Sequence, residues 1–365
     1  MVSDRSVWTS EAPEPVRLLD ADGAMVADDR YPLPGVEVLL RRYRSMLVGR
    51  RLNEQAGALV RQGRLAVYPS SHGQEACQVA AAAVLRERDW LFPTYRDTVA
   101  VVERGVDPVE VLTMLRGGWH CGYDPVAHRV APQATPLATQ LSHAVGVAHA
   151  ARLRGEDTIV LALCGDGATS EGDFHEALNF AAVFAAPVVF LVQDNKYAIS
   201  VPLARQSVAP SLAHKGIGYG VPAVRVDGND VAALCAVLDE AVARGATGGG
   251  PTLVEADTYR IQAHTNADDA TRYRTDEEVR HWAARDPLAR LRAHLLAHDA
   301  LDPDREAEFT AEAERVAAQV RAGLAVEPAP DPAELFAHVH ARPTPQLAEQ
   351  EQLLRTELAA AQEAR

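Results

Sequence analysis

The chain is 365 residues long, 47% apolar and 24% charged, enough for one large α/β domain or two smaller ones around a substantial core. Its formal net charge of −14, with no basic run, argues against nucleic acid as a partner, and no window has the roughly 18 uncharged apolar residues of a membrane span. The N-terminus lacks the charged-then-apolar pattern of an export signal, and four scattered cysteines, Cys77, Cys121, Cys164 and Cys235, fit reduced thiols in a cytoplasmic protein.

Residues 1–34 mix proline, charge and small side chains without periodicity and read as an extended N-terminal arm, of the kind that lies on a partner in oligomers. From Gly35 to Gln62, Val38, Leu39, Tyr43, Met46, Leu47 and Leu52 recur at helical spacing. A turn containing Tyr68, Ser71 and His72 leads into an alanine-rich helix from about Gly73. Pro93 and Thr94 break the chain before a helix expected near Arg96, where an arginine at a helix start suits an anionic phosphate. A further helix is predicted from Pro108 to Leu115, and the loop around His120 reads as structural. Pro136 and Leu137 enter a long helix of small residues, among them Ala144, Gly146 and Ala148, that can pack closely.

The most informative stretch runs from Thr158 to Ser200. Thr158 to Leu163 is a short apolar run suited to a strand buried on both faces. Gly165 and Gly167 flank Asp166 in the turn that follows. Phe174, Leu178, Ala181 and Ala182 predict a helix from Gly172 to Ala185, with Asp173 favouring its positive end and Pro187 closing it. A second apolar run, Val188 to Val192, gives a strand that stops at Gln193, Asp194 and Asn195. Strand, helix and strand in this order make a right-handed parallel crossover, so Asp166 and Asn195 converge at one edge of the sheet. Two oxygen ligands there, with a backbone carbonyl from the turn after Asn195, suit Mg²⁺, and the nearby glycine amides suit a diphosphate. The plain alternative is a buried βαβ unit whose polar edge only caps a helix.

Beyond Ser200, AVRVDGND predicts a short strand, residues 230–244 a helix and PTLVEADTYR another strand. IQAHTNADDATRYR then forms a polar loop with the length and position of an active-site lid. From Thr275 the chain reads as helices broken at Asp286-Pro287, Asp302-Pro303 and the proline cluster between Pro328 and Pro332. The expected fold is α/β, a parallel sheet flanked by helices, spanning 35–330, with residues 331–365 a C-terminal helical segment.

GDG at 165–167, the string SEGDFHEALNFAA and Asn195 in DNKYAIS together resemble the thiamine diphosphate motif. The surrounding chain is similar to the alpha subunit of the decarboxylase component of 2-oxo acid dehydrogenases, most nearly the actinobacterial branched-chain type, over roughly residues 36–360. The resemblance implies a thiamine diphosphate-binding domain in which Asp166, Asn195 and the carbonyl of Tyr197 bind Mg²⁺. It assigns Gly165, Asp166, Gly167, Ala168, Glu171 and Asn195 to the cofactor, Tyr95 and Arg96 to its diphosphate, and Leu137 to bending it. It also implies that His264 contacts the cofactor phosphate and assists acyl transfer, and that His72, beside Tyr68 and Ser71, touches the 2-oxo acid. Pro136, Thr139 and Gln140 match a turn that holds K⁺ in some relatives, although such oxygens are equally common as helix caps. Thr265 stands where mitochondrial relatives carry a regulated serine, and a phosphate there would repel the cofactor.

The same resemblance implies a partner. The glutamate that shuttles protons at the pyrimidine comes from a beta subunit in an α₂β₂ heterotetramer, and the acyl group passes to a lipoyl-bearing acyltransferase. The substrate class is branched-chain 2-oxo acids of the 2-oxoisovalerate type, with pyruvate or acetoin as the runner-up. Gln193 departs from the arginine that holds phosphate in some branched-chain relatives, and Lys196 replaces a common glycine. A nucleotide-binding oxidoreductase is disfavoured, because GDGATSEGD lacks the G-x-G-x-x-G spacing with an acidic residue about 20 positions on. A non-catalytic scaffold is disfavoured by the joint retention of Asp166, Asn195, Arg96 and His264.

Overall fold

Five short apolar runs form one parallel sheet in the computed structural model of the chain, which describes residues 11–118, 120–326 and 331–363. They are β1 (Trp90–Phe92), β2 (Val160–Gly165), β3 (Val188–Asp194), β4 (Ala223–Asp227) and β5 (Thr252–Asp257), in the spatial order β1-β2-β3-β5-β4. β3 is central and buried along its whole length. Side-chain alternation divides its residues between two cores. Val189 and Leu191 join Leu161, Leu163 and Val254 on one face, while Val188, Phe190 and Val192 join Val160, Ala162 and Leu253 on the other. Apolar residues on both faces are what a parallel sheet covered by two helical layers requires.

The first face carries α1 (Val36–Arg61), α2 (Glu75–Ala83) and, later in the chain, Val231–Ala246. The second carries α3 (Thr139–Arg154) and α4 (Gly172–Val183), whose small residues Ala144, Ala148, Ala177 and Ala181 are fully or almost fully buried. The register sets Gly165 beside Gln193 and Asp194 beside Asp257, so the polar strand ends form one rim. The α/β fold, a parallel sheet flanked by helices, is therefore as the sequence predicts.

Local differences have local causes. α4 stops at Val183 because Ala185 takes a left-handed φ of 45° ahead of Pro187. The helix expected near Arg96 begins only at Thr98, since the Asp97 carboxylate accepts both the N–H and the hydroxyl of Thr94 and closes a tight turn. The helix predicted from Pro108 ends at Val111 and gives way to a 3₁₀ turn, Met114–Arg116. Residues 16–19 of the arm lie on this chain's own sheet: Val16 pairs with Val226, and Asp230 accepts the N–H groups of Leu18 and Leu19 at 2.7 Å each.

The described residues fall into two compact units that divide after Arg321. The second contains the helices Glu334–Ala337 and Pro345–Glu363. The first ten residues of the arm and Pro328 to Pro330 of the proline cluster lie outside the described residues. No described helix is long and apolar enough to cross a membrane, and all four cysteines are unpaired.

Candidate functional site

Asp166 and Asn195 leave neighbouring strands at the same rim, 1% and 6% exposed. A 3₁₀ turn, Asp166–Ser170, carries the aspartate, and Gly167 lets that turn touch the next one: a Cβ on it would sit 2.7 Å from the Cβ of Ala198. Lys196 adopts a φ of 77°, which reverses the chain after Asn195. The amide oxygen of Asn195 then faces two further oxygens, Asp166 Oδ1 at 3.3 Å and the Tyr197 carbonyl at 3.1 Å. Ligands of an octahedral ion with bonds of about 2.1 Å stand about 3 Å apart, so this trio has the chemistry and spacing of part of a Mg²⁺ shell. Among the described residues no group of three His, Cys, Asp or Glu is placed to hold a metal.

The electrostatics point the same way. Burial, and then the proximity of Asp194, pushes the Asp166 carboxyl up to about 6. Its Oδ2 accepts from Gln206 Nε2 at 2.9 Å, leaving Oδ1 for the trio. Lys196 answers the neighbouring charge, its Nζ lying 2.5 Å from Asp194 Oδ2 and also contacting Asp257.

A positive region adjoins the oxygens. Arg96 donates to the carbonyls of Ser70 (2.8 Å) and His264 (3.1 Å) and meets His264 Nδ1 at 3.1 Å. Arg260, 1% exposed, donates to the Tyr197 carbonyl (3.3 Å), the Ile199 carbonyl (2.7 Å) and the Tyr273 hydroxyl (2.9 Å), and its Nε has no partner. None of these partners is a carboxylate, so two guanidinium charges stand uncompensated by direct pairing. Burial, then Arg96 and Arg260, drives His264 down to about 4. The ring is thus neutral, and because Nδ1 faces the arginine donors, its proton sits on Nε2. Tyr95 packs edge-on against His264 and under Arg96.

These groups line one open cleft with a cavity volume of about 140 Å³. The structure brings together in it Tyr95, Arg96, Leu137, Gly165, Asp166, Gly167, Ala168, Asn195, Tyr197 and His264, all singled out from sequence. Two others are elsewhere. Glu171 is exposed at the start of α4 and makes no side-chain cap. His72 lines an adjoining cleft with Arg50, Ser70 and Gln262, its Nδ1 3.2 Å from Gln262 Nε2, and burial followed by Arg50 lowers its pKa. At the mouth of α3, Gln140 donates to the Leu163 carbonyl at 2.8 Å while its buried Oε1 has no partner.

Sequence reasoning missed Arg260, Gln74 and Gln206. Arg260 carried a signal, a basic residue just beyond the carboxyl end of a strand; Gln206 lies in a loop with no periodic pattern, and Gln74 at the start of an alanine-rich helix.

Residues 43–331 match the family described as dehydrogenase E1 component. Over 347 residues the chain is 50% identical to the 3-methyl-2-oxobutanoate dehydrogenase subunit alpha of Mycobacterium tuberculosis, covering 95% of each. It is 38% identical over 312 residues to the pyruvate dehydrogenase E1 component subunit alpha of Staphylococcus aureus, covering 85% of this chain and 84% of that one. The corresponding protein of Acholeplasma laidlawii is 36% identical over 337 residues, covering 91% and 96%.

Proposed function

The chain belongs to the dehydrogenase E1 component family, and on that premise we propose that it is the alpha subunit of a 2-oxo acid dehydrogenase acting on branched-chain 2-oxo acids of the 2-oxoisovalerate type. The family uses thiamine diphosphate, which supplies the electron sink that loss of CO₂ from a 2-oxo acid needs. The observation that carries the reading is the meeting of three oxygens beside two unpaired guanidinium groups.

In this reading Asp166, Asn195 and the Tyr197 carbonyl hold Mg²⁺, whose charge reverses the pressure that raises the Asp166 pKa. Arg96 and the Nε2–H of His264 bind diphosphate oxygens, with Tyr95 fixing the ring of His264. Arg260 orients the Tyr197 carbonyl and adds positive charge. Leu137, on the cleft wall, supports the bent cofactor. The partnerless Oε1 of Gln140, with Thr139 and Pro136, is the candidate K⁺ contact. His72 meets the substrate from the adjoining cleft, a beta subunit contributes the proton-shuttling carboxylate, and a lipoyl-bearing acyltransferase accepts the acyl group. The branched-chain substrate is favoured over pyruvate by 50% against 38% identity to relatives bearing those names.

Calorimetry tests the site. Wild type should bind thiamine diphosphate only with Mg²⁺, and Asp166→Ala should weaken that binding by about 100-fold; metal-independent binding would overturn the reading. With the beta chain added, CO₂ release from 2-oxoisovalerate and 2-oxoisocaproate should exceed that from pyruvate, and the reverse order would move the chain to the pyruvate group.

A further inference from the structure

A directional run of buried amides leads away from the candidate metal site. Asn195 Nδ2 donates to Gln74 Oε1 at 3.3 Å, Gln74 Nε2 to Gln193 Oε1 at 2.9 Å, and Gln193 Nε2 to Asp97 Oδ1 at 2.7 Å. All four side chains are buried, Asp97 completely. The other oxygen of Asp97 accepts from the N–H and the hydroxyl of Thr94, both at 2.7 Å.

An amide has one accepting and one donating end, so the sense of such a run is fixed wherever one end is fixed. A carboxylate only accepts. Asp97 therefore requires the NH₂ of Gln193, which turns its oxygen to Gln74, which turns its own oxygen to Asn195. The last amide is left with its oxygen toward Asp166 and Tyr197. Turned over, the Asn195 nitrogen would donate to Asp166 Oδ1 at 3.3 Å and the Tyr197 carbonyl at 3.1 Å, while its oxygen would give up the Tyr197 N–H that it now accepts at 3.3 Å. That orientation would set its oxygen against the oxygen of Gln74, and correcting each clash in turn would end with the Gln193 oxygen against Asp97.

We propose that Asp97, Gln193 and Gln74 are positioning residues whose hydrogen-bond polarity holds the Asn195 oxygen toward the bound cation. The proposal rests on the reading of Asp166, Asn195 and Tyr197 as the ligands of Mg²⁺. Gln193, which stands where some relatives carry a phosphate-binding arginine, then relays orientation rather than binding the anion.

The test uses the full chain with its beta chain, and calorimetry of thiamine diphosphate with and without Mg²⁺, alongside the unfolding temperature. In Asp97→Asn the two Thr94 donors keep the amide oxygen, so an NH₂ faces Gln193, the run reverses and a nitrogen is turned to the metal. Mg²⁺-dependent affinity should fall at least about 10-fold with the protein still folded. In Asp97→Asn/Gln193→Glu the amide and the carboxylate trade places, donor again faces acceptor at every link, and affinity should return to within about threefold of wild type. A folded Asp97→Asn with wild-type affinity, or a double variant as weak as the single, overturns the proposal. Should Asp97→Asn not fold, Gln193→Met interrupts the run without changing its charge. A loss of about threefold or more there supports the proposal and unchanged affinity overturns it. A wild type that binds without Mg²⁺ would instead sink the metal reading itself.

Discussion

His264 is held neutral by position, between Arg96 and Arg260 and partly out of water. Its folded pKa, about 4, lies below its unfolded value of 6.5, so the unfolded chain binds the proton more readily. Stability from this group is therefore complete above about 6.5 and is lost as pH falls toward 4; because the ring is only partly buried, the amount is on the order of 1 kcal/mol. Histidine NMR should find its Nε2-protonated form across the neutral range, and Arg96→Gln should move its titration back toward 6.5; a wild-type ring titrating near 6.5 would contradict the arrangement. Lys196 sets two local effects against each other. Its left-handed φ of 77° costs about 1 kcal/mol, which glycine would recover. Its ammonium, though, is the cation paired with buried Asp194, and removing one member of a buried pair costs about 3 kcal/mol. Lys196→Gly should thus destabilise by about 2 kcal/mol in denaturant titration, and a gain in stability would show that backbone strain dominates.

At the scale of elements, the sheet is held by β3, whose alternate residues enter two separate cores. Phe190 is fully buried in the layer under α3 and α4, and Phe190→Ala should cost about 3–5 kcal/mol in urea unfolding while leaving the far core intact. The buried strands β2, β3 and β5 and the helix α4 were legible in the sequence because a parallel strand covered on both faces is a short continuous apolar run, and because Pro187 marks the break between helix and strand; β1, three residues long and ahead of Pro93, is too short for such a run and was not. The late helix start at Thr98 was not, since it depends on which donors the Asp97 side chain captures. Asp166 and Asn195 were legible because chain order alone sends both strand ends to one rim. Arg260, Gln206 and Gln74 were not, since they reach the cleft or, for Gln206, its Asp166 from three distant segments whose approach is decided by packing and not by local pattern. His72 stands apart from this group: it lines the neighbouring cleft with Arg50 and Gln262, from a turn whose direction no local pattern specifies.

For the whole molecule, the proposed reading makes one chain an incomplete catalyst, and the lining of the cleft fits that reading. Among the described residues lining it, Asp166 is the only carboxylate, and in the proposed reading the trio with Asn195 and Tyr197 commits it to the cation end. Proton exchange at the opposite end needs a second acid or base, and the one lining histidine, His264, is held beside the arginines with a pKa too low to accept a proton near neutrality. The rim of the same cleft is apolar and open, with Leu137 42% and Ile199 56% exposed, as expected of a surface that another subunit closes. The isolated chain should therefore bind thiamine diphosphate with Mg²⁺ yet release no CO₂ from 2-oxoisovalerate. Adding the beta chain should restore turnover, while beta-chain variants that lack the shuttling glutamate should restore binding strength without it. Turnover by the isolated chain would mean that a proton donor exists within the cleft itself, and would remove the physical reason for a two-chain active site.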